Sequence, residues 1–186
     1  MAMAFLPLLR GWAFGGVGFL LGSGLAAGIR QWMGNDPWVA EPLITVGYVF
    51  GLIGWLLGVG LWGTWATEWT GGSPREYPAT GWQRCFRYNT DHKVIGLQYL
   101  VTFVVFLLLA GALAMLIRVE LLGSGKVILD SNDYNTTMGL HGMIMIAVAV
   151  ATIIGGFANF LVPLMIGADD VAFPRINALS FWIIPP

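Results

Sequence analysis

Residues 95–117, IGLQYLVTFVVFLLLAGALAMLI, run for 23 positions without a charged side chain. A hydrocarbon layer of about 30 Å takes about 20 helical residues at 1.5 Å each, so this stretch predicts a transmembrane helix. Outward from it, residues 11–29, 43–66 and 139–166 predict three more spans of the same kind. A fifth apolar run starts near Ile176 and reaches Pro186 after about half a crossing. Carbonyls of a half-span would lack partners in lipid, so further helical structure, in the same or a separate polypeptide, is expected to complete it. The predicted fold class is an all-α, polytopic transmembrane bundle of four full spans plus a truncated fifth.

Composition supports that environment. The chain is 57% hydrophobic and 10% charged, with a mean hydropathy of +0.75, too few charges to cover a water-soluble domain. A net charge of -1 provides no basic face for phosphates, which argues against a nucleic-acid partner. The single cysteine, Cys85, excludes an internal disulfide and a cysteine-based metal site. The N-terminal run has an early Arg10 but no small-x-small cleavage site before a soluble domain, so a retained span is expected rather than a signal peptide.

With the N-terminus in the cytoplasm, Arg10, Arg75, Arg84, Arg87, Lys93 and Arg175 fall inside, against Arg30, Arg118 and Lys126 outside. Several tryptophans, among them Trp32, Trp38, Trp62 and Trp69, sit near predicted span ends, where an indole suits the headgroup level.

The first two spans, GWAFGGVGFLLGSGLAAG and GYVFGLIGWLLGVG, place glycines four apart, as in Gly18 with Gly22, Gly24 with Gly28, and Gly47 with Gly51. Small residues at that spacing let helix backbones approach closely, so residues 1–70 are expected to form a packing hairpin. The stretch TEWTGGSPREYPATGWQRCFRYNTDHK has linker composition, which puts a cytoplasmic linker at 71–90 and a second module at 91–186.

His141 opens the fourth predicted span with no acid nearby. A histidine in lipid is costly unless its ring nitrogens are engaged. On position alone, either a hydrogen bond to a neighbouring helix or a bond to haem or metal accounts for it. Gly139 and Gly142 flank it and would leave room for a flat macrocycle. His92 begins the preceding span at its other end, nearly a membrane thickness away, so the two histidines are not expected to share an iron. Asp170 follows the fourth span, with Asn159 before it and Asn177 after it. Such residues suit either a proton-collecting mouth with water-ordering amides or a solvated acid beside a helix cap.

The runs TDHKVIGLQYL, LIRVEL, YNTTMGLHGMIMI and GGFANFLVPLMIGADDVAFPRINALSFW, in this order, resemble subunit I of the haem-copper terminal oxidases over about Thr90 to Pro186. The first two spans match nothing in that family's core and look like an N-terminal extension. The resemblance implies that His141 is the first axial ligand of a low-spin haem, and that Arg118 contacts a ring substituent of that haem, with haem a expected. It implies that Asp170, Asn159 and Asn177 form the entrance of a D-type proton pathway. Glu120 resembles a residue that helps hold a structural cation in some relatives, with an ordinary solvated acid as the alternative. Tyr134, about two turns before His141, suits either stacking near the haem edge or, the simpler reading, ordinary packing. His92 and Lys93 are explained as an interfacial anchor. Thr152 stands where many relatives have proline.

The implied activity is that of a cytochrome c oxidase. Electrons from cytochrome c pass through the low-spin haem to a high-spin haem paired with copper, where oxygen becomes water and protons are pumped. The high-spin haem, the copper and the second low-spin ligand are expected on helices outside this chain. The implied partners are the remaining helices of subunit I, subunits II and III, the donor and the bilayer of an energy-transducing membrane, a bacterial plasma membrane. A quinol oxidase of the same superfamily and a non-catalytic scaffold without haem are the alternatives.

Overall fold

The computed structural model describes residues 5–72 and 81–186, so Arg75 and the 73–80 part of the expected linker lie outside the described residues. The described residues are helical, with no strand among them: α1 (Leu6–Trp32), α2 (Ala40–Val59), α3 (Leu61–Trp69), α4 (His92–Glu120), α5 (Ser131–Met143), α6 (Val150–Ile166) and α7 (Pro174–Trp182). A 3-10 turn covers Gly81–Phe86, and a π-helical segment, Ile144–Ala149, joins α5 to α6. Four stretches are long and apolar enough to cross a membrane, Leu6–Trp32, Ala40–Val59, His92–Glu120 and Ser131–Ile166, and the chain is a multi-pass integral membrane protein.

Of the span limits that differ from those read from hydropathy, three have a cap as their cause. The second span stops at Val59 instead of continuing to 66, because Gly60 adopts φ +95° and caps α2 in the left-handed conformation. The third begins at His92, where the Asp91 carboxylate accepts the Lys93 N–H at 2.8 Å. The fourth begins at Ser131 instead of 139, because Asp130 accepts the Asn132 and Asp133 amides at 3.0 and 2.9 Å. Its polar first two turns are helical by capping, a signal that hydropathy does not register.

By contacts the chain divides into two compact units, Met1–Thr90 with Arg175–Pro186, and Asp91–Pro174. In the first, α1 and α2 are antiparallel and meet backbone to backbone. Gly11, Gly15, Gly18 and Gly22 of α1 face Gly58, Gly54, Gly51 and Gly47 of α2. A Cβ at Gly58 would lie 2.5 Å from Arg10 O, one at Gly22 2.6 Å from Val46 O, and those at Gly18 and Gly54 would meet Phe50 O and Phe14 O. The spacing is four, three, four on both helices, a repeat of about 3.5 that keeps one seam facing its partner along the whole contact. The expected pair Gly24 and Gly28 is not part of it: a Cβ at either would meet open space. Trp55, 1% exposed, closes one end of the seam over Gly11 and donates from Nε1 to Trp182 O at 2.8 Å.

In the second unit α4 packs on α6 and on α5. Gly96 and Gly156 bring α4 and α6 together, where a Cβ at Gly96 would lie 3.1 Å from Gly156 O. Val94 and Ile95 of α4 are buried.

Candidate functional site

His141 lies in the last turn of α5, half-buried, with Nδ1 2.9 Å from Ala110 O on α4. A carbonyl only accepts, so Nδ1 carries the proton and Nε2 keeps its lone pair. Gly139 and Gly142 on either side have nothing within 4 Å of a would-be Cβ. A neutral imidazole with an oriented outer nitrogen, a basic inner one and open space beside it fits an axial haem ligand.

Tyr134 is half-buried two turns before His141, within about 20° of the same helix face. It lines a depression of about 570 Å³ together with Glu120, Lys126, Asp130, Ser131 and Asn135. Arg118, in the last turn of α4, is exposed and makes no hydrogen bond or ion pair with the described residues. It stands about 12 Å along α4 from the level of Ala110.

Glu120, the last residue of α4, is only 8% exposed, which the picture of a solvated loop acid did not anticipate. Its carboxylate accepts three consecutive backbone amides, Val127 at 2.9 Å, Ile128 at 2.7 Å and Leu129 at 2.8 Å. A cation on this carboxylate would compete with those donors. Among the described residues no group of three or more histidine, cysteine or acidic side chains is arranged to hold a metal ion.

His92 is a correction of a different kind. It is 2% exposed, not an interfacial anchor, and its Nδ1 lies 2.9 Å from Asn159 O. The reason is Pro163, inside α6 four residues after Asn159. Proline has no N–H, so the Asn159 carbonyl loses its intrahelical donor. The imidazole of the neighbouring helix supplies a replacement. Eighteen residues of α4 separate His92 from Ala110, about 27 Å, so the two histidines engage well-separated levels of the bundle.

Asp170 is exposed in the loop after Gly167, with Oδ1 accepting the Val171 N–H at 2.8 Å. Asn159 is half-buried and donates from Nδ2 to Gly155 O at 2.8 Å. These two side chains are not hydrogen-bonded to each other, and Asn177 belongs to the first unit. Its Nδ2 is buried with no acceptor among the described residues.

Two features escaped the sequence reading. One is the Glu120 bond set, whose signal was an acid placed directly after an apolar span. The other is the π-helical segment three residues beyond His141, where fully buried Thr152 donates to Val148 O at 2.8 Å and Ala149 O at 3.1 Å. A hydroxyl in an otherwise apolar run was the available signal, since threonine commonly bonds the carbonyl four residues back. Outside the spans, burial pushes the Cys85 thiol up, and Arg84 beside it acts weakly in the opposite direction.

Comparison with known proteins gives one family. The profile of Cytochrome C and Quinol oxidase polypeptide I matches residues 94–186, from the first turn of α4 onward. Cytochrome c oxidase subunit 1 of Thermostichus vulcanus is 52% identical over 114 residues, 61% of this chain and 21% of that protein. The protein of the same name from Synechocystis sp. is 44% identical over 110 residues, 59% of this chain and 20% of that one. Heme-copper oxidase subunit I+III of Aeropyrum pernix is 50% identical over 95 residues, 51% of this chain and 12% of that protein. The chain thus spans about a fifth or less of the length of these curated relatives. No solved structure matches. With four spanning helices and bacterial oxidase relatives, it is a multi-pass protein of a bacterial membrane. The match covers half of the chain, including His141, and the chain therefore belongs to the family of cytochrome c and quinol oxidase polypeptide I.

Proposed function

We propose that the chain is part of the catalytic subunit of a proton-pumping respiratory oxidase and that His141 is one axial ligand of its low-spin haem. The bond from Nδ1 to Ala110 O carries this proposal, because it fixes the ring and leaves Nε2 as the free basic nitrogen. When bound, the low-spin haem supplies one-electron transfer from cytochrome c toward a centre of high-spin haem and copper held by helices outside this chain.

This chain's own residues then have distinct tasks. His141 orients one face of the site, and Gly139 and Gly142 keep that helix face low. Arg118, with its donors unoccupied by the described residues, offers a planar fork to a polar ring substituent, which favours haem a. Tyr134 packs toward the haem edge. The N-terminus is cytoplasmic, which places Asp170 at an inner aqueous mouth, where it collects protons. Asn159 and Asn177 order water beyond it, and the unmatched Nδ2 of Asn177 is a donor that an ordered water would satisfy. Residues 91–186 supply the oxidase helices, 71–90 a cytoplasmic linker, and 1–70 an added hairpin.

Cytochrome c is preferred to quinol as donor because the similar relatives carry that name, although the family description covers both. Subunit III is a natural partner, since one relative is named as a I+III fusion. Subunit II and the remaining helices of subunit I complete the assembly.

The absorption spectrum of the purified complex tests the haem assignment: sharp reduced low-spin bands are expected, and their absence would favour a scaffold without haem. For the proton route, Asp170→Asn is expected to slow proton uptake severalfold in the complete enzyme while sparing haem content. Unaltered turnover and pumping would remove Asp170 from the pathway.

A further inference from the structure

We infer that Glu120 is a backbone clasp that sets the register of α5 on α4 and, through that register, the place of the His141 ring. It is a positioning residue, and this role rests on the haem assignment above.

The loop from Leu121 to Asp130 contains Gly123, Ser124 and Gly125, the last at φ +108°, a composition that gives it little stiffness of its own. The Glu120 carboxylate gathers the returning loop at Val127, Ile128 and Leu129, and the next residue, Asp130, caps α5. The end of α4 is thereby tied to the start of α5 whatever path residues 121–126 take.

The consequence appears ten residues away on both helices. Ala110 precedes Glu120 by ten positions, and His141 follows Ser131 by ten, so each lies about 15 Å from the clasp. Equal lengths bring the two to one level, where Nδ1 meets Ala110 O at 2.9 Å. A slip of α5 by one residue would move the imidazole about 1.5 Å along the axis and about 100° around it, breaking that bond.

A carboxylate suits the task because all its lone pairs accept. Oε1 takes one amide and Oε2 takes two. Glutamine would offer one oxygen and turn N–H groups toward N–H groups. A structural cation at Glu120 predicts the opposite chemistry, an oxygen-rich site with the amides turned away.

Hydrogen exchange on the complete enzyme, read beside the low-spin haem's absorption and EPR g-values, tests the clasp. In the wild type, the amides of Val127, Ile128 and Leu129 are expected to exchange more slowly than those of Gly123 to Lys126, with or without a chelator. In Glu120→Gln those three amides should exchange at least about tenfold faster, and the g-values should move while haem content is retained. Inserting one glycine between Ser124 and Gly125 should move neither. Equal exchange across 123–129 in the wild type overturns the clasp even if the variant fails to assemble. So does chelator-induced loss of protection, which would assign the holding to a cation. Released amides with unmoved g-values overturn the link to His141. Absence of any low-spin signal in the wild type counts against the haem assignment instead, and the exchange comparison still decides the clasp.

Discussion

In the first unit the two long helices meet mainly glycine to glycine, whereas in the second three polar side chains tie a helix to the backbone of a neighbouring segment. The α1–α2 seam is glycine against glycine for four successive pairs, with no charged or titratable group in it. Helices that face lipid on their other sides gain little from burying apolar surface, so close van der Waals approach is what holds such a pair. In the second unit His92, His141 and Glu120 each occupy a backbone group of another segment. Polar contacts of this kind fix rotation and register as well as proximity, which a metal or haem ligand requires. A seam lined by glycines suits packing, and titratable side chains bonded to backbone suit chemistry.

The largest test of this contrast is Gly18→Leu. Its Cβ would run into Phe50 O, so the hairpin must open or shift, at an expected cost of about 3 kcal/mol or more. Gly24→Leu, into open space on the same helix, should change stability by less than about 0.5 kcal/mol. Thermal unfolding of the two variants in detergent checks both. Equal effects would mean that the seam is not where the glycines place it.

A smaller effect is expected at His92. His92→Ala leaves the Asn159 carbonyl without a donor and should cost about 1–3 kcal/mol while leaving haem spectra unchanged. The sharper version is a cycle with Pro163→Ala, which restores an N–H four residues after Asn159. The double variant should be less destabilised than the sum of the single ones. Additive losses would show that His92 does not replace the donor missing at Pro163.

The smallest effect belongs to Thr152→Val, which keeps shape but removes the hydroxyl from Val148 O and Ala149 O. A loss of about 1 kcal/mol is expected, together with altered hydrogen exchange within Ile144–Ala149. Unchanged exchange there would separate Thr152 from the π-helical turn.

Much of this fold is legible in the sequence because lipid imposes a simple rule: about 20 uncharged residues make a span. The rule says nothing of where a helix begins in water, and so it places the start of the fourth span at 139 rather than at the capped Ser131. Gly60 was read as part of a packing run, since a glycine that ends a helix and one that packs it look alike in sequence. At the site, His141 was legible because an imidazole in lipid demands a partner. Glu120 was not, because its partners are backbone amides of a loop whose path no residue pattern announces. His92 could have been found from Pro163, whose missing N–H leaves one identifiable carbonyl in need of a donor.

The central claim concerns the His141 imidazole, and the most direct measurement is the low-spin haem signal of His141→Ala in the complete, purified enzyme. The account predicts that the reduced low-spin bands and the matching EPR signal disappear while the protein still inserts and assembles. A variant that retains both signals unchanged would contradict it.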